Sequence, residues 1–282
     1  MFRLLSLLPY PALRALGGFA AFWVRVLRWR RPLVAEHLDR CLADRTPAER
    51  AAVADGFYRY LGELLGEALY AQKIPAAEID ERVRLENPEA IVTSLEAGKR
   101  VMILASHHCN WEWLLLKCST AFGHAMTAAY KPVTMHAGDR ALKRMRSRFG
   151  AKLVPAKQIV QYLLEQRGNV RLLALNADQS PAKTNEQQAW IKFFGQDTSF
   201  YKGPGWIAAK LGYGVWFAAM RRESSGRYAV KFVPLSACGQ RLDPDALLQA
   251  YVAALEAHVH EHPVEYFWAY KRWKREKRLY DA

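Results

Sequence analysis

Val101-Met102-Ile103-Leu104-Ala105-Ser106-His107-His108-Cys109-Asn110-Trp111-Glu112 is the stretch whose reading decides the fold. The apolar run 101–105 predicts a short strand, and the amphipathic segment Trp113-Leu114-Leu115-Leu116 predicts a helix that Glu112 begins. A histidine in the turn between them, followed by a carboxylate, is the arrangement of a general base and its orienting acid at the mouth of an α/β sheet. His107 and Glu112 are five positions apart, so on a continuous helix they would not share a face. His107 must therefore lie in the turn if its ring is to fold back onto Glu112. His108 and Glu112 stand at i and i+4 and would pair if the helix began earlier. Spacing alone leaves both histidines open. It also leaves open a bland reading, in which Glu112 merely complements the helix dipole and both histidines are structural.

Outward from this stretch, the pattern alternates from residue 83 onward. Strands are expected at 101–106, 125–130, 152–155, 170–176, 189–194, 214–221 and 228–235, and helices near 88–97, 110–120, 136–148, 157–167, 203–211 and 244–260. Alternating strands and helices with short linkers imply an α/β fold, a parallel or mixed sheet flanked by helices on both faces. Residues 32 to 72 read as helix, with Thr46-Pro47-Ala48-Glu49 as a capping box and Phe57, Tyr60, Leu61, Leu64, Leu65, Ala68 and Leu69 as a buried stripe. No repeat and no Pro/Gly/Ser-rich linker divides the α/β region. The expected division is a membrane-associated N-terminal helix over 1–31 and one catalytic domain over 32–282.

The 282 residues carry 41 Lys+Arg against 27 Asp+Glu, a formal net charge of +14. That excess favours an anionic partner, and the placement of the charge sharpens the expectation. Six of the eight residues from Lys271 to Arg278 are basic, while Arg25, Arg28, Arg30 and Arg31 cluster behind an apolar N-terminus. Residues 4–29 are apolar but interrupted by arginines, and the charge-free run from Ala15 to Val24 is shorter than the roughly 20 residues a spanning helix needs. Arg3, Arg14 and Arg25, eleven apart, fall on one helical face, while Phe19, Phe22, Trp23 and Val26 cover the rest. This reads as a helix lying in a membrane interface, the alternative being a helix docked on the domain. Cys41, Cys109, Cys118 and Cys238 show no paired spacing, which argues against a zinc cluster or a disulfide framework and fits a reducing compartment.

The central stretch resembles the H-x4-D/E acyltransferases, and most closely the bacterial lipid A secondary (late) acyltransferases, which typically read H-aromatic-G-N-W-E at this point. Ala177-Asp178-Gln179-Ser180-Pro181 resembles that family's D-Q block, and Phe193-Phe194-Gly195 its F-F-G. Tyr130-Lys131-Pro132 resembles its Y-R-P stretch, and 146–151 the segment that follows. Residues 266–274, Tyr-Phe-Trp-Ala-Tyr-Lys-Arg-Trp-Lys, resemble its closing block, with Tyr270 where histidine is usual. Order and spacing agree from about residue 32 to 275. His108 and Cys109 depart from the family, replacing an aromatic residue and a glycine.

The resemblance implies a glycerolipid-acyltransferase-like fold and an O-acyl transfer from an acyl carrier protein thioester to a hydroxyl of an anionic lipid A precursor. It places the protein at the cytoplasmic face of the cell inner membrane, and implies His107 as base and Glu112 as its partner. A lysophospholipid or other lyso-lipid is the alternative acceptor. A histidine takes the proton from the attacking alcohol, and a carboxylate on its other nitrogen fixes the tautomer. Asn110, Trp111, Asp178 and Gln179 are further substrate-binding candidates. Arg144 and Arg148, then Arg140 and Lys131, are candidates for the developing oxyanion. No cofactor is expected, and no metal: His258, His260 and His262 sit in the last turn of a helix with no acidic third ligand. A nucleic-acid partner would use the charge and the nine tryptophans, but no binding motif accompanies them, and a non-enzymatic adaptor would have no use for His107.

Overall fold

The computed structural model describes residues 8–122, 126–133, 136–166, 168–181, 187–239 and 243–274. Strand candidate 125–130 thus begins outside the described residues, as does the basic tail beyond Lys274.

The predicted long helix is two helices, α2 (Arg31–Cys41) and α3 (Pro47–Tyr70), preceded by α1 (Tyr10–Val26). Thr46 separates α2 from α3 with the expected capping box, its hydroxyl accepting from the Glu49 N–H while Glu49 accepts from the Thr46 N–H. Helix α1 buries Leu13, Gly17 and Ala21, a stripe of every fourth residue, along α3. The backbones meet so closely that a Cβ at Gly17 would collide with the Gly62 carbonyl, and one at Gly66 with that of Leu13. The opposite face of α1 keeps Phe19, Phe22, Trp23 and Val26 exposed. The arm is therefore docked through one face and bare on the other. Among the described residues, no helix is long and apolar enough to cross a membrane.

Strands β1 (Val83–Leu85), β2 (Arg100–Ala105), β3 (Thr127–Tyr130), β4 (Lys152–Pro155), β5 (Leu172–Asn176), β8 (Tyr213–Ser224) and β9 (Arg227–Ser236) form a seven-stranded sheet in the order β1-β9-β8-β2-β5-β3-β4. All neighbours are parallel except β8 and β9, which form an antiparallel hairpin. The sheet is mixed, as expected, and helices cover both faces. Met102 and Leu104 of β2 point into one core with α2, α8 (Ile159–Glu165), α9 (Gly203–Leu211) and α10 (Pro244–Glu261). Val101, Ile103 and Ala105 point into the other, with α4 (Ala76–Arg82), α5 (Glu89–Glu96), α6 (Trp111–Ala121) and Met145 of α7 (His136–Arg146). Burial on both faces is why β2 reads as an unbroken apolar run.

The region 189–194 departs from the expected pattern. Strands β6 (Gln188–Phe193) and β7 (Gln196–Tyr201) form a separate two-stranded hairpin instead of joining the main sheet. Its two-residue turn is Phe194-Gly195, both at positive φ (50° and 71°), the backbone that a tight hairpin of the natural twist requires. Phe194 is held in this strained region by Glu256 of α10, whose carboxylate accepts its N–H at 2.6 Å. The turn aims Phe193 inward, where it is fully buried.

Candidate active site

The carboxyl ends of two neighbouring parallel strands, β2 and β5, build the site. Ala105 pairs with Asn176, so the residues that leave the two strands, His107 and Asp178, emerge side by side. This is the edge at which open α/β sheets hold their ligands. Asp178 grips His107 twice: Oδ1 is 2.7 Å from the ring Nδ1, and Oδ2 accepts the His107 backbone N–H at 3.0 Å. A carboxylate can only accept, so Nδ1 carries the proton and Nε2 the lone pair. The Gln179 side-chain amide points Nε2 at His107 Nε2, 3.3 Å away, and can donate to that lone pair. The Trp111 ring meets the imidazole edge-on at 4.9 Å. Asp178 is buried, which by itself would raise its pKa, but the contacts to His107 and the charge of Arg272 outweigh this and hold it below the usual carboxylate range.

Glu112 lies elsewhere than expected. Its carboxylate is engaged with Arg146 of α7, which donates from Nε at 2.8 Å and from Nη2 at 2.5 Å, and Trp111 Nε1 adds a third donor at 3.2 Å. The pairing of His107 with Glu112 expected from the motif is therefore replaced by two pairs, His107 with Asp178 and Glu112 with Arg146, joined through Trp111. Burial works against the charge of Arg146, and the Glu112 carboxylate more than compensates, raising the Arg146 pKa.

The two adjacent histidines separate cleanly. His108 is 2% exposed and faces the Met220 carbonyl with Nδ1 (3.1 Å) and the His262 carbonyl with Nε2 (2.7 Å), and its ring packs at a tilt against that of His258, 4.5 Å between centroids. Burial drives its pKa well below that of a free histidine. His108 is thus a strut between the β8 strand and the end of α10, and His107 is the histidine that remains at the strand edge. His258 likewise bonds the Met220 carbonyl, and burial lowers its pKa to about 4.

Other sequence candidates divide in the same way. Asn110 is fully buried with both ends of its amide occupied: Oδ1 caps α6 by accepting the Trp113 N–H, and Nδ2 donates to Glu67 at 2.7 Å. It shapes the turn and has no free group for substrate. Lys131, Arg140 and Arg144 are exposed, and Arg148 donates to the Ala71 carbonyl, so the basic helix sends Arg146 to the site instead. The signal for Arg146 was present in the sequence: on a helical projection it lies nearer to the apolar Leu142, Met145 and Phe149 than Arg140 or Arg144 does. Cys109 adopts φ 52°, the left-handed conformation that glycine takes freely. Its thiol is wholly buried and its pKa pushed far up by burial, so no nucleophile is available at this position.

The closing segment locks onto the same turn. Phe267 N–H donates to the His107 carbonyl and Cys109 N–H to the Glu265 carbonyl, both at 3.1 Å. The Tyr270 hydroxyl accepts the Ser180 N–H at 3.2 Å, and Ser180 Oγ donates to the Arg272 carbonyl. Five separated stretches, around residues 107, 146, 178, 193 and 270, thus converge on one point. A family model for bacterial lipid A biosynthesis acyltransferases matches residues 1–275.

The chain belongs to that family.

It is accordingly an acyltransferase of lipid A biosynthesis. A comparison with curated proteins returns no match. Within the family frame, Asp178, Phe193 and the closing aromatic block have a common location, which their separation in sequence concealed. Among the described residues, no group of three His, Cys, Asp or Glu is arranged to hold a metal ion.

Proposed function

We propose that the protein transfers a fatty acyl chain from an acyl carrier protein thioester to a hydroxyl of a lipid A precursor, with His107 as general base and Asp178 as the carboxylate that orients it. The observation that carries this reading is the tautomer of His107: Nδ1–H is fixed on Asp178, which leaves the Nε2 lone pair for an incoming hydroxyl. The hydroxyl displaces the Gln179 amide, gives its proton to Nε2 and attacks the thioester carbon. A new C–O bond forms, and the carbonyl π electrons move to oxygen. Collapse of this tetrahedral species breaks the C–S bond, and the imidazolium returns the proton to the departing thiolate. Asp178 stabilises the imidazolium in between, and base catalysis of this kind contributes about 10²–10⁴-fold. Arg146, anchored on Glu112 beside Trp111, is our candidate for stabilising the oxyanion. Glu112 then serves the reaction by holding Arg146, a role one step removed from the base.

The location proposed is the cytoplasmic face of the inner membrane. The bare aromatic face of α1 supports it, as does a groove between α1, α2 and α3 lined by Arg14, Arg25, Arg28 and Arg31, a surface suited to acyl chains above and anionic headgroups beside them. The test is mass spectrometry of total lipids from cells with and without the protein. Lipid A short of one acyl chain supports the proposal. Unchanged lipid A with altered phospholipids contradicts it and moves the acceptor to a lyso-lipid.

A further inference from the structure

Arg272 is a buried charge with a poor set of partners. Its side chain is 3% exposed, and among the described residues its Nε and Nη1 have no hydrogen-bond partner. Nη2 donates to the Tyr266 hydroxyl at 2.9 Å. The guanidinium lies over two aromatic faces, Phe193 at 4.9 Å and Phe200 at 5.2 Å, both contributed by the β6–β7 hairpin. Its ion-pair contact among the described residues is to Asp178 Oδ2, 3.9 Å away, the same oxygen that accepts the His107 N–H. A guanidinium desolvated to this degree, with donors unsatisfied, is expensive to bury on stability grounds. Phe193, Phe200 and Tyr266 nonetheless clamp it, and the bonds of Ser180 to the Tyr270 hydroxyl and to the Arg272 carbonyl hold the stretch of chain that carries it against the Asp178 loop. The cost is offset by a cation–π seat and one distant carboxylate.

We infer that Arg272 is a positioning residue: it acts through Asp178, keeping that carboxylate ionised and aimed so that His107 presents its Nε2 lone pair. The inference rests on the reading of His107 as base. Electrostatics give it a direction. The active form of the pair carries one proton, on Nδ1, and uptake of the next proton inactivates it. A fixed positive charge 3.9 Å from Asp178 opposes that uptake. Deleting the charge therefore moves the inactivating step to higher pH. The other titratable groups facing Asp178 and Arg272 are Tyr251, Tyr266, Tyr270, His37 and Cys41, and none supplies a second fixed positive charge near neutral pH: burial lowers the His37 pKa.

The experiment measures acyl transfer from an acyl carrier protein thioester to a lipid A precursor against pH for the wild type, Arg272→Met, Arg272→Lys and Tyr266→Phe. In parallel, NMR follows the titration of the His107–Asp178 pair in the same proteins without substrate. For Arg272→Met, the acid limb of kcat and the NMR midpoint should both move up by about one pH unit, which well below both midpoints is about a tenfold loss, recovered in alkali. Arg272→Lys keeps the charge and should leave the limb in place, while Tyr266→Phe keeps the charge but loosens one side of its seat and should shift the limb by less than Arg272→Met does. If Arg272→Met does not fold, Phe200→Leu, which loosens the clamp and keeps the charge, should shift the limb in the same direction by less. A loss of equal size at every pH, an unmoved midpoint, or a shift in Arg272→Lys as large as that in Arg272→Met overturns the inference. Because the NMR midpoint needs no substrate, a shift there in a protein without acyl transfer supports the role of Arg272 and contradicts only the proposed reaction.

Discussion

Two buried carboxylates hold the turn between β2 and α6 from opposite sides, and they have opposite characters. Asp178, at the sheet edge, faces His107 and Arg272 and stays ionised, its pKa held down against the effect of burial. Glu67, on α3 behind the turn, is 0% exposed and accepts from Asn110, Tyr228 and Tyr10, all neutral donors. Burial dominates there, and the Glu67 pKa is raised to about 7. The difference teaches that hydrogen bonds alone do not keep a buried carboxylate charged. A cation beside it does. The ionised one is equipped for chemistry, while the other scaffolds the turn through Asn110 and links it to Tyr10 of the N-terminal arm.

Removing the ionised carboxylate is expected to have the largest effect. Asp178→Asn leaves Arg272 as an uncompensated buried charge, at a cost of about 3–5 kcal/mol at pH 7. The folded-state pKa of Asp178 is depressed, so this contribution is fully present above the unfolded carboxylate value and is lost as pH falls through the folded one. Denaturant melts of the two proteins should therefore converge in acid, and an undiminished gap there would break the comparison.

Glu67 carries the reverse sign. Its folded pKa is raised, so the stability it contributes is present below the ordinary glutamate value and declines as pH rises to about 7. Relative to Glu67→Gln, the wild type should lose about 3 kcal/mol between pH 4.5 and 7, read from urea midpoints at each pH. A flat difference would place Glu67 in the same class as Asp178.

The smallest effect belongs to Cys109, the residue at positive φ in the turn itself. Cys109→Gly relieves a left-handed backbone strain of about 1–2 kcal/mol but forfeits a buried side chain and adds unfolded-state entropy of about 0.5–1 kcal/mol. Its melting midpoint should lie within about 1 kcal/mol of the wild type by these opposing contributions. A large loss would mean that the thiol, not the backbone, shapes the turn.

The fold was largely legible because its decisive elements are local signals. Strands covered on both faces, such as 101–105 and 172–175, read as apolar runs, and Thr46 announces α3 through its own capping box. Strands β1 and β7 were not legible: Val83-Arg84-Leu85 is too short to show a period, and Gln196-Asp197-Thr198-Ser199 is polar where a strand signal is apolar. Sequence picked out His107, Glu112, Asp178 and Gln179, which the fold brings near one another, but joined the histidine to the carboxylate five positions away. The fold joins it to one 71 positions away, because adjacent parallel strands bring their carboxyl ends together whatever lies between them. Arg146 and Arg272 each sit among several basic neighbours: Arg146 stands apart from its own only by its place beside the apolar stripe of its helix, and Arg272 from its own only by its burial.

The central claim is that His107 and Asp178 act as one unit. It is tested by single-turnover rates of acyl transfer for His107→Gln, Asp178→Asn and the double variant, each at a temperature where circular dichroism shows it folded. Members of one catalytic unit are not additive, so the double variant should be no slower than His107→Gln alone, itself down by about 10²–10⁴-fold. Losses that multiply, or an Asp178→Asn enzyme at wild-type speed, would contradict the account.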